Sequence, residues 1–118
     1  MANAGPLVRN LYERYQDRDW GAAAELLHPE AELQMPATAE GQVGRDAVLT
    51  FQVDYPEPWG DLTVLRVVSD GDIAVAENEI VGPAGTFRCA AFWRVHEGLL
   101  HRGVEYWVTV GGDEPPPR

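Results

Sequence analysis

The chain is 118 residues long, with nine arginines and no lysine against nineteen acidic residues, for a formal charge of −10. That length suits one domain, 1–118, around a single core. The acidic balance repels phosphate backbones and anionic lipid surfaces, which argues against nucleic-acid and membrane partners. The single cysteine, Cys89, excludes an internal disulfide and reads as a small buried hydrophobe within a strand. No basic-then-apolar leader opens the sequence and no apolar run approaches the ~20 residues of a membrane span, so a cytoplasmic location is expected.

Residues 1–5 and the proline-rich residues 113–118 read as flexible ends. Pro6 fits the first turn of a helix. Leu7, Val8, Leu11, Tyr12 and Tyr15 then recur at helical spacing, up to about Asp17 and Arg18. Asp19 is an N-cap for a second helix, whose buried side is Trp20, Ala23, Leu26 and Leu27. His28-Pro29 closes it, because the residue before proline avoids the helical region. His28 therefore reads as a helix-end cation favoured by the dipole. With no companion His or Cys at ligand spacing, no metal is assigned, and no cofactor is expected. Residues 31–35 read as a short strand, with Leu33 facing opposite Glu32 and Gln34. Residues 36–44 read as a loop. A third helix spans 45–54, with Ala47, Val48, Phe51 and marginally Leu49 buried. Residues 55–60, Tyr-Pro-Glu-Pro-Trp-Gly, cannot be helical. Tyr55 and Trp59 either lid a cavity or plug the junction between helices and sheet.

From Asp61 the apolar period switches to two. Residues 62–69 form a strand, Asp70-Gly71 marks a hairpin turn, and residues 73–81 form the next strand, with Glu77 and Glu79 on the face of Ile73 and Val75. Residues 82–85, Gly-Pro-Ala-Gly, make a second turn. Residues 86–110 hold two long strand patterns joined at His96-Glu97-Gly98. Phe87, Cys89, Ala91, Trp93 and Val95 share one face of the first, and Thr86, Arg88, Ala90, Phe92 and Arg94 the other. In the second, Glu105, Trp107 and Thr109 lie opposite Val104, Tyr106 and Val108. Neither face is cleanly polar, so both are expected to be covered, one of them by a second subunit. Two helices, a strand, a helix and a four-strand meander predict an α+β fold. Its helices pack on a strongly bent, mostly antiparallel sheet and leave a cavity that is the default ligand site.

Glu105, between aromatics in the last strand, is the best candidate for chemistry. Inside a cavity, desolvation would raise its pKa toward neutrality and suit it to general acid–base work. The competing reading pairs it with Arg88, Arg94 or Arg102 across the sheet. Glu79 carries the same two readings, and Glu77 reads as a solvated or interface acid. His96 and His101 flank a turn and are expected to be exposed. No serine or threonine stands in the context of a covalent nucleophile.

The segments LYERYQDRDWGAAAELLHPEAELQMP, GRDAVLTF and FWRVHEGLLHRGVEYW resemble the nuclear transport factor 2-like superfamily, in its SnoaL-like branch. The resemblance implies a cone-shaped α+β barrel that commonly dimerises through its sheet. It also implies a cavity lined by Tyr12, Tyr15, Met35, Phe51, Trp59, Arg88 and Trp107. Relatives include ketosteroid isomerases, polyketide cyclases, epoxide hydrolases and non-catalytic binding domains, so fold does not fix activity. The isomerase positions for tyrosine, base and second aspartate fall on Leu11, Met35 and Ala91, which lack those groups. In the epoxide hydrolases, an acid before a Tyr-aromatic pair matches Glu105. Their other acid falls near Glu79, and their arginine near Glu77, which leaves Arg88 as the substitute cation. SnoaL-like cyclases need only an acidic residue in the cavity.

Two classes of function follow. One is a proton-transfer or water-adding enzyme acting on a small apolar molecule through Glu105, with Glu79 as the second candidate. The other is a non-catalytic ligand-binding or dimerisation domain. They are separated by whether an open cavity of at least ~300 Å³ holds the Glu105 carboxylate.

Overall fold

The computed structural model describes residues 3–54 and 60–117. Helix α1, Ala4–Asp17, begins two residues before Pro6 because Asn3 caps it, its side chain accepting from the Gly5 amide at 3.0 Å. Ala4 and Gly5 are buried at its start. Its inward stripe is Val8, Leu11, Tyr12 and Tyr15, and it ends where Arg18 turns left-handed at φ 58°. Asp19 then caps α2, Trp20–Leu26, by accepting from the Ala22 amide at 3.1 Å. Helix α3, Arg45–Val53, buries Val48, while Phe51 and Leu49 are half-buried and Ala47 is exposed, contrary to expectation.

Six strands follow or interleave: β1 Leu27–Met35, β2 Glu40–Val43, β3 Asp61–Asp70, β4 Ile73–Gly82, β5 Gly85–His96 and β6 Leu99–Thr109. They lie in the order β2-β1-β6-β5-β4-β3. Every neighbouring pair is antiparallel except β1 and β6, which run parallel. This is the expected α+β architecture of three helices on a mostly antiparallel sheet, and the sheet stays open rather than closing on itself.

Two expectations are corrected by β1 and β2. Residues 36–44 are not all loop, since Glu40–Val43 pairs with β1 from Met35 back to Glu32. Val43 is its one apolar residue and is exposed, so the segment carries no apolar alternation and backbone hydrogen bonding alone marks it as a strand. His28 is not a helix-end cation. The helix stops at Leu26, and His28 lies in β1 with its ring buried.

Alternation divides the sheet into two faces. The inner face, covered by the helices, carries Ala74, Ala76, Asn78 and Ile80 from β4, then Cys89, Ala91, Trp93 and Val95 from β5, all buried. Gly103, Glu105 and Trp107 of β6 pair with Trp93, Ala91 and Cys89. Gly103 is a packing requirement, because a Cβ there would lie 2.5 Å from the Trp93 indole. Across the sheet, Phe92, Tyr106 and Val108 are 42%, 51% and 58% exposed.

Candidate active site

A cavity of about 360 Å³ opens between the helices and the inner face. Tyr12 and Tyr15 of α1, Met35 of β1, Phe51 of α3, and Glu105 and Trp107 of β6 line it. The walls are mostly apolar because the helix stripe and most inward strand positions are apolar, although Thr38, Glu40 and Gln52 also line the cavity. Glu105 interrupts these walls as the middle inward residue of the Gly103–Trp107 stretch of β6, and it is 1% exposed.

A short hydrogen-bond chain holds the carboxylate. Trp93 Nε1 donates to the Tyr12 hydroxyl at 2.9 Å, and Tyr12 donates onward to Glu105 Oε2 at 2.6 Å. Trp107 Nε1 donates to Glu105 Oε1 at 3.1 Å. Each carboxylate oxygen thus has one neutral donor, and each keeps a lone pair free for a proton. Burial raises the Glu105 pKa above the ordinary carboxylate value, while the Tyr12 and Trp107 bonds pull it down. Burial, and then the charge of Glu105, raise the Tyr12 and Tyr15 pKa values, so both phenols stay protonated. The same two causes raise the Cys89 thiol and leave it an unreactive hydrophobe.

Six of the nine expected site residues meet here: Glu105, Tyr12, Tyr15, Met35, Phe51 and Trp107. Trp59 lies outside the described residues. The structure places Glu79 and Arg88 on the outer face, Arg88 Nη2 lying 3.0 Å from Glu79 Oε2. Glu77 is bound there by Arg66 at 2.9 Å. Neither Glu79 nor Arg88 reaches the cavity, and no arginine or histidine is among its described lining residues.

Two polar groups went unread in the sequence. Trp93 orients Tyr12, which only the register Trp93–Gly103 makes possible. Asn78, buried on the inner face of β4, has a side-chain amide without a hydrogen-bond partner among the described residues, as does the Tyr15 hydroxyl. An asparagine amid Ala76 and Ile80 was the available signal.

Comparison with known proteins agrees with this arrangement. A solved structure of a candidate ketosteroid isomerase from Kribbella flavida is 30% identical, with a TM-score of 0.89 over 97% of this chain and 82% of that one. A candidate SnoaL-like polyketide cyclase from Shewanella denitrificans is 10% identical, with a TM-score of 0.75 over 90% of this chain and 92% of that one. An epoxide hydrolase from M. tuberculosis is 14% identical, with a TM-score of 0.74 over 89% and 82%. The last two share the fold alone. No curated protein matches the chain. The SnoaL-like domain profile matches residues 8–103. With its three helices, its open mixed sheet and its lined cavity, the chain belongs to the SnoaL-like domain family of the nuclear transport factor 2-like superfamily.

Proposed function

We propose that the chain is a proton-transfer enzyme acting on a small, largely apolar molecule, with Glu105 as the group that takes and returns the proton. The observation that carries this reading is a buried carboxylate on a cavity wall, held by two neutral donors and facing no cation among the described lining residues. Ionised, Glu105 is a stronger base than an ordinary carboxylate because burial raises its pKa. Tyr12 is a positioning residue, since it acts through Glu105. Among the described residues the Tyr15 hydroxyl has no hydrogen-bond partner, and Tyr15 lines the same cavity, which suits it to donate to a substrate oxygen as negative charge develops. Proton transfer is favoured over water addition because the Asp–Arg–Asp type of relay has no counterpart among the described lining residues. The available arginine and second acid, Arg88 and Glu79, neutralise each other on the outer face.

Deuterium exchange provides a test that needs no known product. Apolar ketones with acidic C–H bonds are incubated with the protein in D2O and followed by NMR. Wild-type protein is expected to wash deuterium into at least one of them, and Glu105→Gln to do so ~10²–10⁴ times more slowly. Equal rates would remove Glu105 as the base.

The outer face supports a homodimer. Phe92 and Tyr106 meet edge-on with centroids 6.0 Å apart in an exposed apolar patch beside Val108. Light scattering behind size exclusion checks this. Tyr106→Arg is expected to yield monomer, and a wild-type monomer at all concentrations would count against the dimer.

A further inference from the structure

At the opposite end of β5 and β6 from Ala84 and Thr109, which line the cavity, the fold gathers three histidines around one carboxylate. The parallel register Leu27–Leu100 sets His28 of β1 beside His101 of β6. The β1 register then shifts before Glu32, and Pro29 stands in that irregularity, where its missing N–H breaks no ladder. His96 ends β5 opposite Leu99. Ring centroids are 4.8 Å apart for His28 and His101, 5.1 Å for His96 and His101, and 5.6 Å for His28 and His96. Glu97 Oε1 lies 2.9 Å from His28 Nε2 and 3.3 Å from His96 Nε2. Glu97 holds φ 54° in the turn, a left-handed position where Asn, Asp or Gly costs less. The turn alone does not explain a glutamate there.

We infer that this corner is a site for a divalent transition metal of the zinc class, with His28, His96 and Glu97 as ligands. Their ligand atoms all lie within 4.8 Å of one another. Two imidazoles and a carboxylate suit zinc, cobalt or nickel rather than calcium or magnesium, which take oxygen ligands. Bonds of ~2.0–2.2 Å to one ion require ligand atoms ~3.3–3.5 Å apart. Side-chain rotation of the exposed His96 and Glu97 provides the adjustment. His28 Nδ1 now accepts from the Glu30 amide at 3.0 Å, so Nε2 carries the proton shared with Glu97. Coordination through Nε2 moves that proton to Nδ1 and ends the Glu30 bond. It also replaces the Nε2–H···Oε1 bond with two metal bonds, and no net proton leaves. His101, packed against both other rings, is the candidate fourth ligand. The ion would brace the start of β1 against the β5–β6 turn.

Tag-free protein titrated with zinc chloride in a calorimeter tests this. The expected result is one site tighter than ~100 μM, together with a rise in melting temperature on zinc addition. His96→Ala and Glu97→Asn are each expected to weaken binding at least ~10-fold. Asparagine suits the left-handed turn position, so the second variant keeps its fold. Glu105→Gln is expected to bind zinc as the wild type does. Binding weaker than ~1 mM, unchanged affinity in both ligand variants, or loss of binding in Glu105→Gln would each overturn the site.

Discussion

Glu105 and Glu79 are both glutamates within long strands, and each is hydrogen-bonded through its carboxylate. They differ in face. Glu79 shares the outer face with Arg88, and its side chain keeps 25% of its exposure. A cation and solvent both stabilise its charge. Glu105 has neither, because its cross-strand neighbour is Ala91 and its donors are a phenol and an indole. Burial is therefore the first cause of its shift, and it is upward. The difference teaches that position on a sheet face, not residue type, decides which acid is left with proton affinity to use.

The largest expected effect is on catalysis at the inner acid. Glu105→Gln should lower turnover of any substrate found ~10²–10⁴-fold, while ligand affinity measured by fluorescence or calorimetry stays near wild type. Parallel loss in Glu79→Gln would break the contrast between the two acids. Next is the packing behind Glu105. Gly103→Ala sets a methyl against the Trp93 ring, and the cost should be ~1–3 kcal/mol in chemical denaturation. A neutral result would show that the indole is free to move.

The linkage sign gives a third check. Because the folded-state pKa of Glu105 is raised, its contribution to stability is full below the unfolded value and is lost as pH rises through the folded value. Glu105→Gln should therefore gain stability relative to wild type as pH rises above ~4.5, as read from paired melting curves. Tyr12→Phe sharpens the same point, because the Tyr12 bond lowers the Glu105 pKa. Its loss should move the acidic limb of a pH–rate profile to higher pH, while leaving Trp93 Nε1 without its acceptor. The smallest effect belongs to the outer pair. A double-mutant cycle on Arg88→Ala and Glu79→Ala should give a coupling of ~0–1 kcal/mol, with activity unchanged.

How far the sequence reveals these features depends on which physical signal carries them. Helical spacing in α1, the Asp19 cap and the period-two runs from Asp61 onward are local, and they read out directly. So do the turns at Gly71 and Gly98, with φ 61° and 78°. The orientation of β4 does not read out, because Ile73 and Val75 make the Glu79 face look as apolar as the true inner face. The inner face instead uses Ala74 and Ala76, which leave room for Trp93 and Tyr12. β2 has no hydrophobic pattern to read. The parallel pairing of β1 with β6 joins segments about 70 residues apart, so neither the histidine cluster nor the Trp93–Tyr12–Glu105 chain has a spacing signature.

The sheet order also bears on how the molecule assembles. β6 is the last of the six strands to leave the ribosome, yet it lies between β1 and β5. Until it arrives, β1 with β2 and the β3–β5 meander are separate pieces, each with an unpaired edge. The candidate base and the strand that joins the halves thus enter in one step, at the largest loop-closure cost in the fold. Refolding should be slow for a chain of this size, and the cavity should form only with the final closure.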